Sequence, residues 1–386
     1  MAVLRARQFG AKVEAAEGTG ETLVAADYAV NAKDVLADHE HPSYTRDLVR
    51  GSATKQPELR GSRRLRLTGT LECCGGTASV QAVWHQILRA CGFARAALVV
   101  ISVGTPTGTG AAAYTIGTIV GDNAARASAT KTARVVRWIG GSPNRIVLEP
   151  ITGTFISADV IHAYNNAGSS VATATASTAT SAAGHAFIPT TENDSFVPDS
   201  VTAEVRLSEQ IHRAVGCRGN GTFQLRHNEP LQFEFELEGL SVVDANQAPL
   251  LGGRVTGVPA LPVAPRVAKG FPFLFDGMSP VATQLTVGLN NTLAQRATIG
   301  TGVGSAADSG YLPPRITDRN VTISCDPEQP PVATAEWYGR SLRGETFPMY
   351  IEVGLPSDGN GMVVLYAPAV QLTGNQGPSI QATRLR

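Results

Sequence analysis

Apolar and polar positions alternate along this chain in a way that marks out strands and helices, and one strand–helix pair sets the pattern for the rest. Leu65, Leu67 and Leu71 alternate with Arg66, Thr68, Thr70 and Glu72, which is the period of a strand with one buried face. Val80, Val83, Trp84, Ile87, Leu88 and Cys91 follow at helical spacing, with Ser79 placed as N-cap and Gly92 where a helix C-terminus closes. The stretch Arg64–Phe93 recurs 254 positions later without a gap: Thr322 stands for Thr68, Asp326 for Glu72, Tyr338 for Trp84, Leu342 for Leu88, Arg343 for Arg89 and Phe347 for Phe93. Strand parity is kept, with Val321, Ile323 and Cys325 on one side, and Pro330-Pro331 introduces a second, poorer helix that ends near Gly344. A constant offset through both elements points to an internal duplication. The other reading is two unrelated strand–helix units in a mixed domain.

Further strands are expected at Val201–Leu207, Ile211–Val215, Gly221–Arg226 and Leu231–Leu240. In the last of these Leu231, Phe233, Phe235 and Leu237 share one face, and Glu234, Glu236 and Glu238 with Gln232 share the other. Burying the apolar side therefore creates an acidic stripe. Asn220-Gly221 and His227-Asn228-Glu229-Pro230 read as turns of an antiparallel meander. The second copy is expected to run through Gln284–Leu289, a Gly-rich loop at Gly300–Gly310, the repeated strand and helix, and closing strands Met349–Val353, Met362–Ala367 and Pro368–Thr373, with a hairpin turn at Ser357–Gly361.

Between about Leu98 and Ala186, Gly, Ala, Ser and Thr dominate, as in Gly104–Ala113 and Ser169–Ala183. This reads as an inserted module, with short strands at Val135–Trp138, Arg145–Leu148 and Gly153–Ile156 and an alternating tract at Val171–Ala176. Residues 1–63 read as an N-terminal arm with short extended pieces and a polar connection through His39-Glu40-His41 and Arg46–Arg50. A Pro- and Gly-rich joint at Gly252–Pro272 separates the copies. The expected organisation is a first unit of residues 1–97 and 187–262, an insert at 98–186 and a second unit at 263–386. The expected fold class is mainly β with flanking helices (α+β).

Composition changes this picture little. The length of 386 residues suits two or three domains, and a formal net charge of zero argues against a protein that coats nucleic acid by neutralising phosphates. Five scattered cysteines without C-x-x-C spacing read as reduced thiols. The first ten residues contain no run of signal-peptide length, and no stretch is apolar enough to span a membrane. Synthesis in a bacterial-type cytoplasm without export fits this best. No nucleophile elbow, P-loop or H-E-x-x-H motif occurs, and no carboxylate pair is placed so as to demand catalysis. No enzymatic role is assigned. His85 reads as a surface or boundary residue. His39, Glu40 and His41 alternate along one segment, which rarely closes a metal site without distant ligands, so no metal site is assigned.

Asp47-Leu48-Val49-Arg50, the Arg64–Glu72 strand and the helix ending Leu88–Phe93 together resemble the major tail tube proteins of long-tailed bacteriophages. Arg213–Gly219 with Phe233–Leu240, and Ile316–Arg319 with Ala367–Gly374, resemble that family too; the resemblance covers roughly three quarters of the chain, and the order and spacing of short motifs carry it. It implies a β-sandwich or partial barrel flanked by a helix, in two tail-tube-like units here, and stacked rings around the path of DNA. It implies no cofactor and no catalytic residue. The implied partners are copies of the same chain, other tail proteins at the tube ends, and DNA in transit without specific binding; the implied location is the virion tail. On that reading Glu234, Glu236 and Glu238 face a lumen, the insert decorates the outside, and three two-unit chains make a pseudo-six-fold ring. A monomeric β-sandwich that binds carbohydrate or a cell surface is the alternative.

Overall fold

The computed structural model describes residues 7–29, 31–45, 58–73, 83–139, 144–177, 181–190, 198–207, 209–244, 248, 250–258, 273–275, 278–300, 309–328, 336–354, 363–376 and 379–383. The protein is mainly β, with a curled half-barrel sheet and few helices. It folds as two compact units, one of Met1–Gly76, Val80–Phe93 and Pro189–Arg386, the other of Thr77–Ser79 and Ala94–Ile188. The strands expected on both sides of residue 262 lie in the first of these.

The first unit is organised by strand pairing. Its main elements in chain order are β1 (Arg7–Val13), β2 (Ala32–Glu40), β3 (Arg64–Glu72), α1 (Val83–Ala90), β4 (Val201–Leu207), β5 (Gln210–Arg226), β6 (Gln232–Val242), β7 (Phe273–Phe275), β8 (Ala282–Gly288), β9 (Thr322–Pro327), α2 (Trp337–Leu342), β10 (Thr346–Val353), β11 (Val363–Gln376) and β12 (Ser379–Thr383). In the first half the antiparallel order is β2-β3-β6-β5-β4-β1. In the second half it is β8-β9-β12-β11-β10-β7, again antiparallel throughout. The two orders are the same once six is added to every strand number. A helix follows the second strand of each order, and the described helical residues overlap at an offset of 254, Val83–Leu88 of α1 onto Trp337–Leu342 of α2. Topology thus repeats at the same offset as the residues do.

The halves are joined edge to edge. Strand β5 pairs along Gln210–Cys217 with β4, and its far end, Thr222–Arg226, pairs with β8 of the second half. One strand therefore joins the two halves of a single sheet, and an irregularity in its register between Val215 and Arg218 separates the two contacts. Gly216 adopts φ 64°, a conformation costly for a residue with a side chain, and an added Cβ would lie 2.6 Å from Pro313. The buried Glu14 carboxylate accepts the Gly216 N–H at 2.8 Å, with Ser200 Oγ and Thr202 Oγ also donating to it.

Lateral rows of side chains show how the sheet separates its faces. Leu71, Phe233, Phe223, Val287 and Ile323 stand opposite one another across five strands, and all are buried. On this apolar face α1 packs Trp84 edge-on to Phe223, whose ring lies 4.6 Å from Phe233. Trp84, Ile87, Leu88 and Cys91 are buried as the helical spacing requires, and Gly92 closes the helix at φ 82°. On α2 the buried Trp337, which stands for Val83 at that offset, lies edge-on to Phe275, and Gly344 closes that helix at φ 65°. The connection from α2 to β10 takes only Arg343–Glu345.

The second unit holds an eight-stranded sheet whose central strands include Phe93–Val103, Asn144–Thr152, Thr132–Ile139, Val160–Tyr164 and Ser170–Thr175. Its core combines Ile101, Tyr114, Val135, Ile146, Leu148, Phe155 and Ile161 with small residues. Ala172, Ala174 and Ala176 are buried, while Thr173 and Thr175 alternate outward. The Ala–Thr tract is a strand whose inward positions are only a methyl deep.

Several sequence expectations change. Asn220-Gly221 is not a turn but lies inside β5, because a side chain at Gly221 would meet the Phe233 ring at 2.3 Å and one at Gly219 would meet Leu237 at 2.6 Å. Those glycines make room for the neighbouring strand's large side chains. The closing strands after residue 362 are one strand, β11, with Pro368 inside it. The N-terminal arm is part of the sheet as β1 and β2, and Gly153–Ile156 is a bend at Gly153, φ 64°, followed by irregular backbone rather than a strand. His85 is buried at 6% exposure beside Trp84, not a boundary residue. Ser79, Val80, Arg46–Arg50, Pro330-Pro331, Ser357–Gly361 and most of the Gly300–Gly310 loop lie outside the described residues.

Candidate functional site

The face opposite the buried rows is the candidate site. One lateral row on it runs Lys33–Thr70–Glu234–Thr222–Gly288–Thr322, crossing six strands and both halves without a break. Period-2 alternation in each strand puts small hydroxyl, amide and charged groups there, because the other parity fills the core. The result is one continuous polar surface on a curled sheet.

The three carboxylates expected to form an acidic stripe share this face on β6, but they differ in setting. Glu234 is exposed and makes no ion pair among the described residues. Glu236 is bridged by Arg66 at 2.7 Å, and that carboxylate holds the guanidinium above its usual range. Glu238 is half-buried, 3.9 Å from Arg64 and within reach of the Gln295 amide. Burial raises its carboxyl pKa; Arg64 opposes the shift, and Glu236 and Glu40 add to it. Arg64 also pairs with Glu40 on β2, and Lys33 on β2 meets Glu72 at 2.6 Å. The stripe is therefore part of a ladder of opposite charges across β2, β3 and β6. The signal for this was present in Arg64-Leu65-Arg66, two cations on the polar parity of a strand that neighbours an acidic one.

His39 and His41 of the His39-Glu40-His41 segment stack with their ring centroids 6.1 Å apart, while His39 Nε2 lies 2.7 Å from His212 Nδ1 and His39 Nδ1 3.2 Å from Ser241 Oγ. Among the described residues no group of three or more metal-binding side chains converges. Burial, then His212 and His41, lowers the His39 pKa against the opposing pull of Asp38.

Two arginines that sequence reasoning did not single out, one fully buried and one half-buried, hold this architecture. Arg218, fully buried, donates to Pro314 O at 2.6 Å, Pro198 O at 2.9 Å and Glu17 at 3.0 Å. Arg319, from the strand Tyr311–Arg319, donates to Cys91 O at 2.8 Å and Gly92 O at 2.9 Å, capping α1 from the second half of the chain. Neither has a local sequence signal, since the partners are backbone carbonyls distant in sequence. No helix among the described residues is long and apolar enough to cross a membrane. No protein-family model matches the chain, and no curated protein matches it.

Proposed function

We propose that this chain is the tail-tube subunit of a long-tailed bacteriophage, whose copies close into rings that stack as a conduit for DNA. The observation that carries the reading is the fusion of two identically ordered sheets edge to edge, with one polar face running unbroken across the junction. A wall that must continue from subunit to subunit needs lateral strand pairing, a packed outer side and a hydrophilic inner side, and this sheet has elements of each kind. Six such units close a ring when three chains contribute two each, giving pseudo-six-fold character.

On this reading Glu234, Glu236 and Glu238 face the lumen. Arg64 and Arg66 neutralise part of that charge, leaving a wall with a weak acidic bias over a neutral polar background. DNA phosphates are kept from adhering without a large barrier to passage. Other tail proteins meet the tube at its ends. The module at 94–188 has its own core, so replacing Gly104–Ala183 by a short Gly/Ser linker leaves assembly intact.

Electron microscopy with light scattering of the purified protein tests the proposal. Rings or tubes with three chains per ring are expected. Protein that stays monomeric at high concentration would reject it in favour of a monomeric binding or adhesion module.

A further inference from the structure

The junction inside the chain also specifies the junction between chains. Within one chain β5 presents Thr222–Arg226 to β8. The counterpart of β5 in the second half is β11, and the counterpart of β8 in the first half is β2. Among the described residues, β2 pairs only with β3, and the Leu372–Gln376 end of β11 pairs only with β12. Each half thus leaves open the edge that the other half uses. Open strand edges of this kind are templates for pairing.

We infer that the end of β11 in one chain pairs antiparallel with β2 of a second copy of this chain, repeating the β5–β8 junction head to tail. The inference deepens the ring proposal by assigning its subunit seam. The internal repeat also gives the register. Thr222 lies opposite Glu234, which lies opposite Thr70; Gly374 lies opposite Gln381, which lies opposite Ser324, 254 residues after Thr70. Gly374 therefore takes the place of Thr222. Thr222 faces Gly288, which lies opposite Thr322, while Leu36 lies opposite Thr68, 254 residues before Thr322. Leu36 therefore takes the place of Gly288 and is set against Gly374.

Two further observations fit that register. Leu36 is a large apolar side chain left 55% exposed on an edge strand, and its partner is a glycine that leaves it room. By the same steps Gln376 takes the place of Gln224, and Lys33 that of Thr286, so Lys33 and Gln376 become neighbours across the seam. Such a contact is heterologous. Two different edges meet, so it propagates around a ring or along a filament and does not stop at a two-fold dimer.

Disulfide trapping in the full-length protein tests the seam. Lys33→Cys and Gln376→Cys are placed in one chain, and also each alone in separate chains. All variants carry Cys74→Ser, and Cys73, Cys91, Cys217 and Cys325 are buried and give little background. Under mild oxidation the double variant is expected to give a ladder of linked chains ending at three. Mixing the two single variants should give linked dimers at least tenfold above either variant alone. Leu36→Cys with Gly374→Cys is the second pair, for use if the first fails to fold. Rings or tubes seen by microscopy with no linkage from either pair would overturn the seam and leave the tube proposal standing. Dimers from Lys33→Cys alone would mean a two-fold contact and overturn the head-to-tail arrangement. A ladder that runs on without closing supports the seam and rejects the ring, and protein that never self-associates rejects both.

Discussion

Replacing Arg319 by alanine should loosen the first helix although the two are 228 positions apart from Arg319 to Cys91. The guanidinium donates to Cys91 O, Gly92 O, Asn291 Oδ1 at 2.9 Å and Thr190 O at 3.4 Å, and lies 5.0 Å over the Phe93 ring. Cys91 follows the last helical residue, Ala90, so a cation at its carbonyl also meets the negative end of the helix dipole. Charge-assisted hydrogen bonds contribute about 1.5–3 kcal/mol each. Water reaching the vacated space recovers part of this, and a net loss of about 2–4 kcal/mol is expected. Urea unfolding reads that as a fall in midpoint of roughly 1 M for a slope near 3 kcal/mol/M. Hydrogen exchange read over Val83–Ala90 locates it, because amides of α1 should open before those of β9. Arg319→Lys keeps the charge but not the fork, so it should recover no more than about 1 kcal/mol through the dipole term. Exchange in α1 unchanged by Arg319→Ala, or full rescue by lysine, would refute the capping argument.

Four other substitutions probe three separate features. Gly221→Val should cost about 2–3 kcal/mol in a denaturation series, because its Cβ would press on Phe233, whereas Gly253→Ala, with nothing within 4 Å, should be neutral. Glu238 has a folded pKa above its unfolded one, so its ionisation lowers stability as pH rises past the unfolded value near 4.3. Glu238→Gln should therefore match or exceed the parent in stability at pH 7, with the gain gone at pH 4. His39 has a folded pKa below its unfolded one; its contribution is complete above about pH 6.5 and is lost as pH falls through the folded value. Melting temperature measured from pH 7 to 5 should fall less steeply in His39→Gln than in the parent.

Much of the fold could be read from residue patterns because the duplication leaves the same signal twice. The Arg64–Glu72 strand was legible to the residue, and the Trp84–Cys91 stripe and Gly92 were enough to place α1. What could not be read were decisions made between distant strands. Asn220-Gly221 has the composition of a turn, and only the rings of Phe233 and the side chain of Leu237 explain why glycine sits inside a straight run. The first 63 residues lack the long alternation of β6, since β2 is an edge strand with a bulge between Lys33 and Leu36. The acidic side of β6 was visible, but its neutralisation depends on register with β3, which no local pattern supplies. His85 went to the core because α1 is covered on more than the one stripe that its spacing defines.

The two halves differ most in the connection that follows each helix. Three residues, Arg343–Glu345, carry α2 into β10, while the corresponding link after α1 accommodates the whole 94–188 module. Had the ancestral subunit stayed unduplicated, any insertion at that point would appear at every position of an assembly, and crowding between copies would limit its size. Fusion into one chain breaks that equivalence. One half is free to accept a large graft while the other keeps the short link, and in the ring proposed above grafts would then fall at every second position. In that ring, duplication would halve the density of appendages without altering the strand order that the two halves share.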